Sequence, residues 1–210
     1  MQKNERQKLN KERDFKLNTI VTETTEFGEI PLDVYQKLAN DRILFICDQI
    51  NDAVATDIIA TLLLKDSEDP ETKITLFINS QGGDIRNALM ICDMMEMVSS
   101  PIETVCIGMA VDEAAMILAS GSPGHRLATK NAVIAASQLS HDWMSQSDLT
   151  DAKKYLDLAM SDNKHMMEIL AKASGKTLKQ VMEDFDRRVF MTPNQAVKYG
   201  LIDKVVNFNK

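Results

Sequence analysis

No stretch of about eighteen consecutive apolar residues occurs in this 210-residue chain, which excludes a membrane-spanning helix. The first twenty residues also lack the apolar centre of a secretory signal, so the chain is expected to stay in the reducing cytoplasm. Excess positive charge is absent too. With 24 Lys and Arg against 31 Asp and Glu, a net charge of -7 and a pI near 5.0, the chain is not expected to bind nucleic acid, whose phosphates need cations to replace their counterions. Cysteine is scarce: Cys47, Cys92 and Cys106 are odd in number, widely spaced and set among Ile, Val and Met. That pattern predicts buried free thiols rather than a disulfide or a metal site. No metal-ligand set, cofactor motif, internal repeat or low-complexity tract is visible.

What is present is a chain 44% hydrophobic, long enough for one well-filled core and short for two. Residues 1–16 carry six basic side chains (Lys3, Arg6, Lys8, Lys11, Arg13, Lys16) against three acids, a net +3 that leaves -10 for the remainder (-7 minus +3). Leu9 and Phe15 are the only large apolar groups there besides Met1. Such a stretch cannot nucleate a core, so residues 1–20 are expected to form a flexible arm and 21–210 a single domain. Beyond Val34 the apolar pattern switches between the strand and helix periods. Strands are predicted at 43–46, 74–78 and 104–107, with helices at 52–64, 85–98 and 113–119 after them. An apolar segment at 132–136 precedes a long amphipathic helix over 149–173, with Leu156, Met160, Met167 and Leu170 among its apolar positions and Gly175 as its stop. Short helices from Thr177 and Ala196 and a last strand at Val205 and Val206 complete the chain. This alternation predicts an α/β fold with crossover connections.

Three stretches carry more specific information. They are Phe77-Ile78-Asn79-Ser80-Gln81-Gly82-Gly83-Asp84, Cys106-Ile107-Gly108-Met109-Ala110-Val111-Asp112-Glu113-Ala114-Ala115, and Phe190-Met191-Thr192-Pro193 with Ile202-Asp203-Lys204-Val205. Over roughly residues 25 to 206 the chain resembles the ClpP family, the proteolytic subunits of the Clp protease. The resemblance implies a crotonase-like spiral of βαβ units with a protruding handle at about 138–173. It also implies the chemistry of a serine endopeptidase that works with an ATP-dependent unfoldase.

Serine peptidase chemistry needs a nucleophile, an imidazole base, an orienting carboxylate and amide donors for the oxyanion. In a family motif like GxAxSMGA the serine position falls on Asp112, a poor nucleophile toward an amide. In a stretch like NSRVMIHQP, the histidine position falls on Ser137 within Asn131-Ala132-Val133-Ile134-Ala135-Ala136-Ser137-Gln138-Leu139. In a stretch like DRDRFLS, a carboxylate position falls on Arg188 within Asp186-Arg187-Arg188-Val189-Phe190. The amide donors would belong to Gly83 and Glu113, and two acids beside them would oppose a developing oxyanion. No catalytic residue is therefore expected, and a contact between Asp112 and Arg188 is predicted. Two enzymatic alternatives stand beside this. One is a relocated triad using Ser140 with His141 or Ser120 with His125; the other is crotonase-like acid and base chemistry at Asp112 and Glu113.

The resemblance also places assembly residues. Asp186 and Arg187 fall where the family bridges rings. Phe77, Met97, Val105 and Val206 fall near apolar pockets where a hexameric AAA+ unfoldase docks, with Thr75 at a position where relatives usually have tyrosine; ordinary core packing is the competing account of each. The implied partners are further copies in heptameric rings, stacked as a tetradecamer or mixed with an active ClpP. The handle stretch around Asp142 and Trp143 departs from the family's glycine-rich one, which puts pairing with an extended peptide in doubt.

Overall fold

The computed structural model describes residues 20–25, 28–139 and 148–206. The chain divides into two compact units between Asp41 and Arg42. In the first unit, β1 (Ile20–Thr25) and β2 (Gly28–Asp33) form an antiparallel hairpin, with Ile20 opposite Asp33 and Thr25 opposite Gly28. The helix α1 (Val34–Asn40) starts at Asp33, whose side chain accepts from Tyr35 N while Gln36 reaches back in a capping box. No residue of α1 is buried. The sequence-based boundary at residue 20 thus lies well before the division at Asp41, because a largely polar hairpin and an unburied helix leave the core to the second unit. The arm itself lies outside the described residues.

The second unit is built on a seven-stranded sheet. Its path runs β3 (Ile43–Ile46), β4 (Ile74–Ser80), β5 (Ile102–Val111), β6 (Arg126–Thr129) and β9 (Lys204–Val206), every pair parallel. β7 (Val133–Ala136) also pairs parallel with β5, and β8 (Val189–Met191) pairs antiparallel with β7. Parallel neighbours require crossovers, supplied by α2 (Asp52–Glu68), α3 (Ile85–Met97) and α4 (Glu113–Ala119). Three further helices follow: α5 (Leu149–Ser174), α6 (Leu178–Asp184) and α7 (Pro193–Tyr199). The α/β architecture, the parallel sheet and the order of elements agree with the fold that the sequence implied.

Local chemistry fixes the helix ends. Asn51 caps α2 through Val54 N, Asp84 caps α3 through Asn87 N, and Thr177 and Thr192 start α6 and α7 with capping boxes. Gly175 and Gly200 close α5 and α7 in the left-handed conformation. Ile46, Leu76, Ile78, Cys106 and Ala110 are fully buried in the sheet, and a buried Ile or Leu contributes roughly 1.5–3 kcal/mol. From Ala114 to Leu118, α4 has no exposed surface, and it packs on β5, α3 and α5. Its alanines permit that close approach. In α5 the second half is core, with Met166, Met167 and Leu170 buried, whereas Leu156 and Met160 are exposed. Two of the apolar positions read from the helical stripe therefore stand outside the core, as they would on a projecting handle.

β5 is the strand that shapes the site. Its first half pairs with β6 through Thr104, Val105 and Cys106, and its last residues pair with β7 through Met109, Ala110 and Val111. Gly108 sits between the two partners, where a Cβ would strike the Asn79 side chain. The register with β4 also shifts between Ile78 and Ser80. The end of β5 is thereby steered beside β7.

Candidate active site

Asp112 occupies the turn from β5 into α4, with φ 51° and ψ -108°. A side chain at positive φ is strained by roughly 1–3 kcal/mol, and a sharp turn of this kind is what holds a nucleophile at a strand end. The turn is held by Asp112 N donating to Ala135 O at 2.8 Å and by Met116 N donating to Asp112 O at 3.0 Å. The carboxylate is buried, and both of its oxygens are engaged. Oδ1 accepts from Ser137 Oγ at 2.9 Å, and Oδ2 accepts from Arg188 Nη2 in a charge-assisted bond.

The sheet explains how three positions so far apart in sequence meet. Ser137 follows β7 directly, and Arg188 immediately precedes β8, whose Val189 pairs with Ala136. Gln138 clamps the two segments together, its backbone N–H donating to Phe185 O and its side-chain amide to Asp186 O, both at 2.9 Å. Asp112, Ser137 and Arg188 thus converge, and the contact expected between Asp112 and Arg188 is present.

Glu113 takes a different partner. Its Oε2 accepts from Gly83 N at 3.1 Å, and its own backbone N–H is a second group that favours the charged carboxylate. Desolvation pushes this carboxyl above its ordinary range; the two N–H groups oppose that shift, and the neighbouring charges of Asp112 and Asp84 add to it. Gly83 is wedged against Ile50, whose backbone a Cβ would strike, and the loop is pinned by Ile50 N to Gly82 O at 3.0 Å and Asp84 N to Ile50 O at 2.8 Å. Gly82, at φ +96°, leaves the space that Glu113 Oε2 fills. Sequence reasoning missed this role of Gly82; its one signal was the adjacent glycine pair.

A sequence model of the Clp protease family matches residues 7–209. The chain belongs to the Clp protease family. It is a Clp protease-type subunit, of a family of serine peptidases.

The alternative serine peptidase sites fare as follows. Ser120 Oγ donates to Met116 O at 2.9 Å and lies 3.3 Å from Cys92 Sγ, while His125 Nδ1 faces Glu103 at 3.7 Å. Among the described residues no hydrogen bond joins Ser120 to His125. Ser140 and His141, like Asp142 and Trp143, lie outside the described residues. Among the described residues no group of three or more His, Cys, Asp or Glu could hold a metal ion, and no helix is long and apolar enough to cross a membrane.

The positions that the resemblance implied for assembly differ in exposure. Phe77 is half-buried and stacks on Phe45 with ring centroids 5.4 Å apart, Met97 is 65% exposed, and Val206 is half-buried beside Thr129 on β6. Val105 is only 4% exposed, so its side chain offers almost no free surface to a partner in this chain. Asp186 and Arg187 are exposed, with Arg187 Nε 3.5 Å from Asp186 Oδ2. The cysteines correct one expectation. Cys92 and Cys106 are buried, their thiols pushed by burial to about 12 and about 11, but Cys47 is exposed at the end of β3, where the chain leaves the sheet.

Proposed function

We propose that this chain is a catalytically inactive Clp subunit that assembles into heptameric rings, alone or mixed with an active relative, and modulates a Clp-type protease or its AAA+ partner in the cytoplasm. The observation that carries this reading is the bonding of Asp112. An acid stands at the nucleophile position, with one oxygen on Ser137 and the other on Arg188. A serine hydroxyl cannot act as a general base near neutral pH, and a guanidinium cannot give up its proton there to serve as one. The same pairing weighs against acid and base chemistry at Asp112, since its charge is already neutralised by a partner. Exposed Asp186 and Arg187, with exposed Met97, fit a surface used for assembly and docking.

The direct test joins a fluorogenic peptide assay to fluorophosphonate labelling of the purified protein. No turnover and no labelled band are expected. Cleavage that persists after further purification, or a labelled serine, would contradict the reading.

A further inference from the structure

We infer that Glu113 is an intramolecular plug: its carboxylate holds the Gly83 amide, with its own backbone amide beside it, and so closes the cradle that a peptide carbonyl would need. The inference rests on the reading of Gly83 and Glu113 as the oxyanion pair and adds a second, independent block to the loss of the triad.

Three observations support it. First, the bond is specific: Gly83 N donates to Glu113 Oε2 at 3.1 Å across thirty residues of sequence. Second, the carboxylate is held without a cation. Arg188 goes to Asp112, and no ion pair to Glu113 occurs among the described residues. A desolvated acid facing only amide N–H groups is an arrangement that a surface glutamate would avoid by turning to water. Third, the loop is shaped around it. Gly82 leaves room where any Cβ would overlap Oε2, and Gly83 is pressed against Ile50 so that its N–H cannot turn away without breaking the pinned loop. A carboxylate oxygen and a peptide carbonyl oxygen accept the same hydrogen bonds, so the plug and an incoming substrate compete for one place.

Two measurements decide the matter. Hydrogen–deuterium exchange of the unmodified protein and of Glu113→Ala reads the Gly83 amide directly. Exchange about tenfold faster at Gly83 is expected in the variant, with the flanking core unchanged. Unaltered protection of Gly83 would overturn the inference. The second measurement compares the triple variant Asp112→Ser, Ser137→His, Arg188→Asp with the same variant carrying Glu113→Ala. In labelling, the introduced hydroxyl oxygen bonds to phosphorus, fluoride leaves, and the introduced imidazole takes the hydroxyl proton. Labelling at least about a hundredfold faster is expected once Glu113 is removed, because amide donors are freed for the developing oxyanion. Equal rates, including none in both, would count against the plug. Labelling of the unmodified chain would instead contradict the inactive reading, so the two failures are distinguishable.

Discussion

Two adjacent acids in one turn behave differently because their partners differ. Asp112 meets a guanidinium and a hydroxyl, so its charge is compensated; Glu113 meets only amides, and its carboxyl is raised above the ordinary 4.5 by desolvation first of all. A raised folded value means that the folded chain binds this proton more tightly than the unfolded chain does. The stabilising contribution is then complete below about 4.5 and is lost as pH rises through the folded value, leaving a net cost at neutral pH. Glu113→Gln keeps an oxygen for Gly83 N–H and removes the charge. It should therefore melt higher than the unmodified protein at pH 7, with the gap closing as pH falls towards 4.5. Melting curves of both proteins over that range at equal concentration check this, and a gap independent of pH would show that the charge is not what matters.

At the scale of elements, what the sequence disclosed depended on how local the cause was. The helix start at Thr177, the stop at Gly175 and the βα alternation are written in neighbouring residues, and these elements appear close to where the pattern puts them. The Asp112 contact with Arg188 was legible because both positions could be aligned to motifs of known spatial neighbourhood. The Glu113 bond to Gly83 was not, since it depends on how the β4 to α3 loop is pinned on Ile50. The β1–β2 hairpin escaped notice because only Ile20 and Val21 are apolar in its first strand and Pro31 sits inside its second, where a proline argues against a strand. The exposure of Cys47 escaped it because an apolar run gives no sign of the residue at which a strand leaves the sheet.

One contact between elements was invisible for the same reason. Asp162, buried on α5, has Oδ1 2.8 Å from Arg86 Nη2 at the start of α3, yet the alignment falls short of a hydrogen bond and Oδ1 has no other partner. Arg86 itself is half-exposed, so water weakens the pairing. Removing the cation would still strand a buried carboxylate, which costs about 1–3 kcal/mol. Arg86→Ala should lose stability in that range, whereas Asp162→Leu should lose less, and adding Arg86→Ala to Asp162→Leu should cost almost nothing further. Urea unfolding of the four proteins in a double-mutant cycle measures this. Additive losses would mean that the two helices are not coupled through this pair.

At the scale of the whole molecule, the site and the surface now answer to different demands. The candidate active site is closed by internal bonds, but Asp186 and Arg187 stay exposed after β8 has been positioned, and nothing in the described core needs their charges. Residues that neither pack nor fill the site are free to serve an interface, and a charged interface position acts by pairing with the opposite sign. The proposed ring therefore predicts a separation between folding and assembly. Arg187→Glu should keep the melting transition of the isolated subunit's fold while lowering the native mass by sedimentation, because two acids at adjacent positions would face a surface suited to one acid and one base. Coexpression with an active family member extends the test: tagged active subunits should retain the unmodified chain through purification and lose most of it with Arg187→Glu. A native mass unchanged by the substitution, with retention equally unchanged, would remove Arg187 from the interface and leave the apolar exposure at Met97 as the surface to probe next.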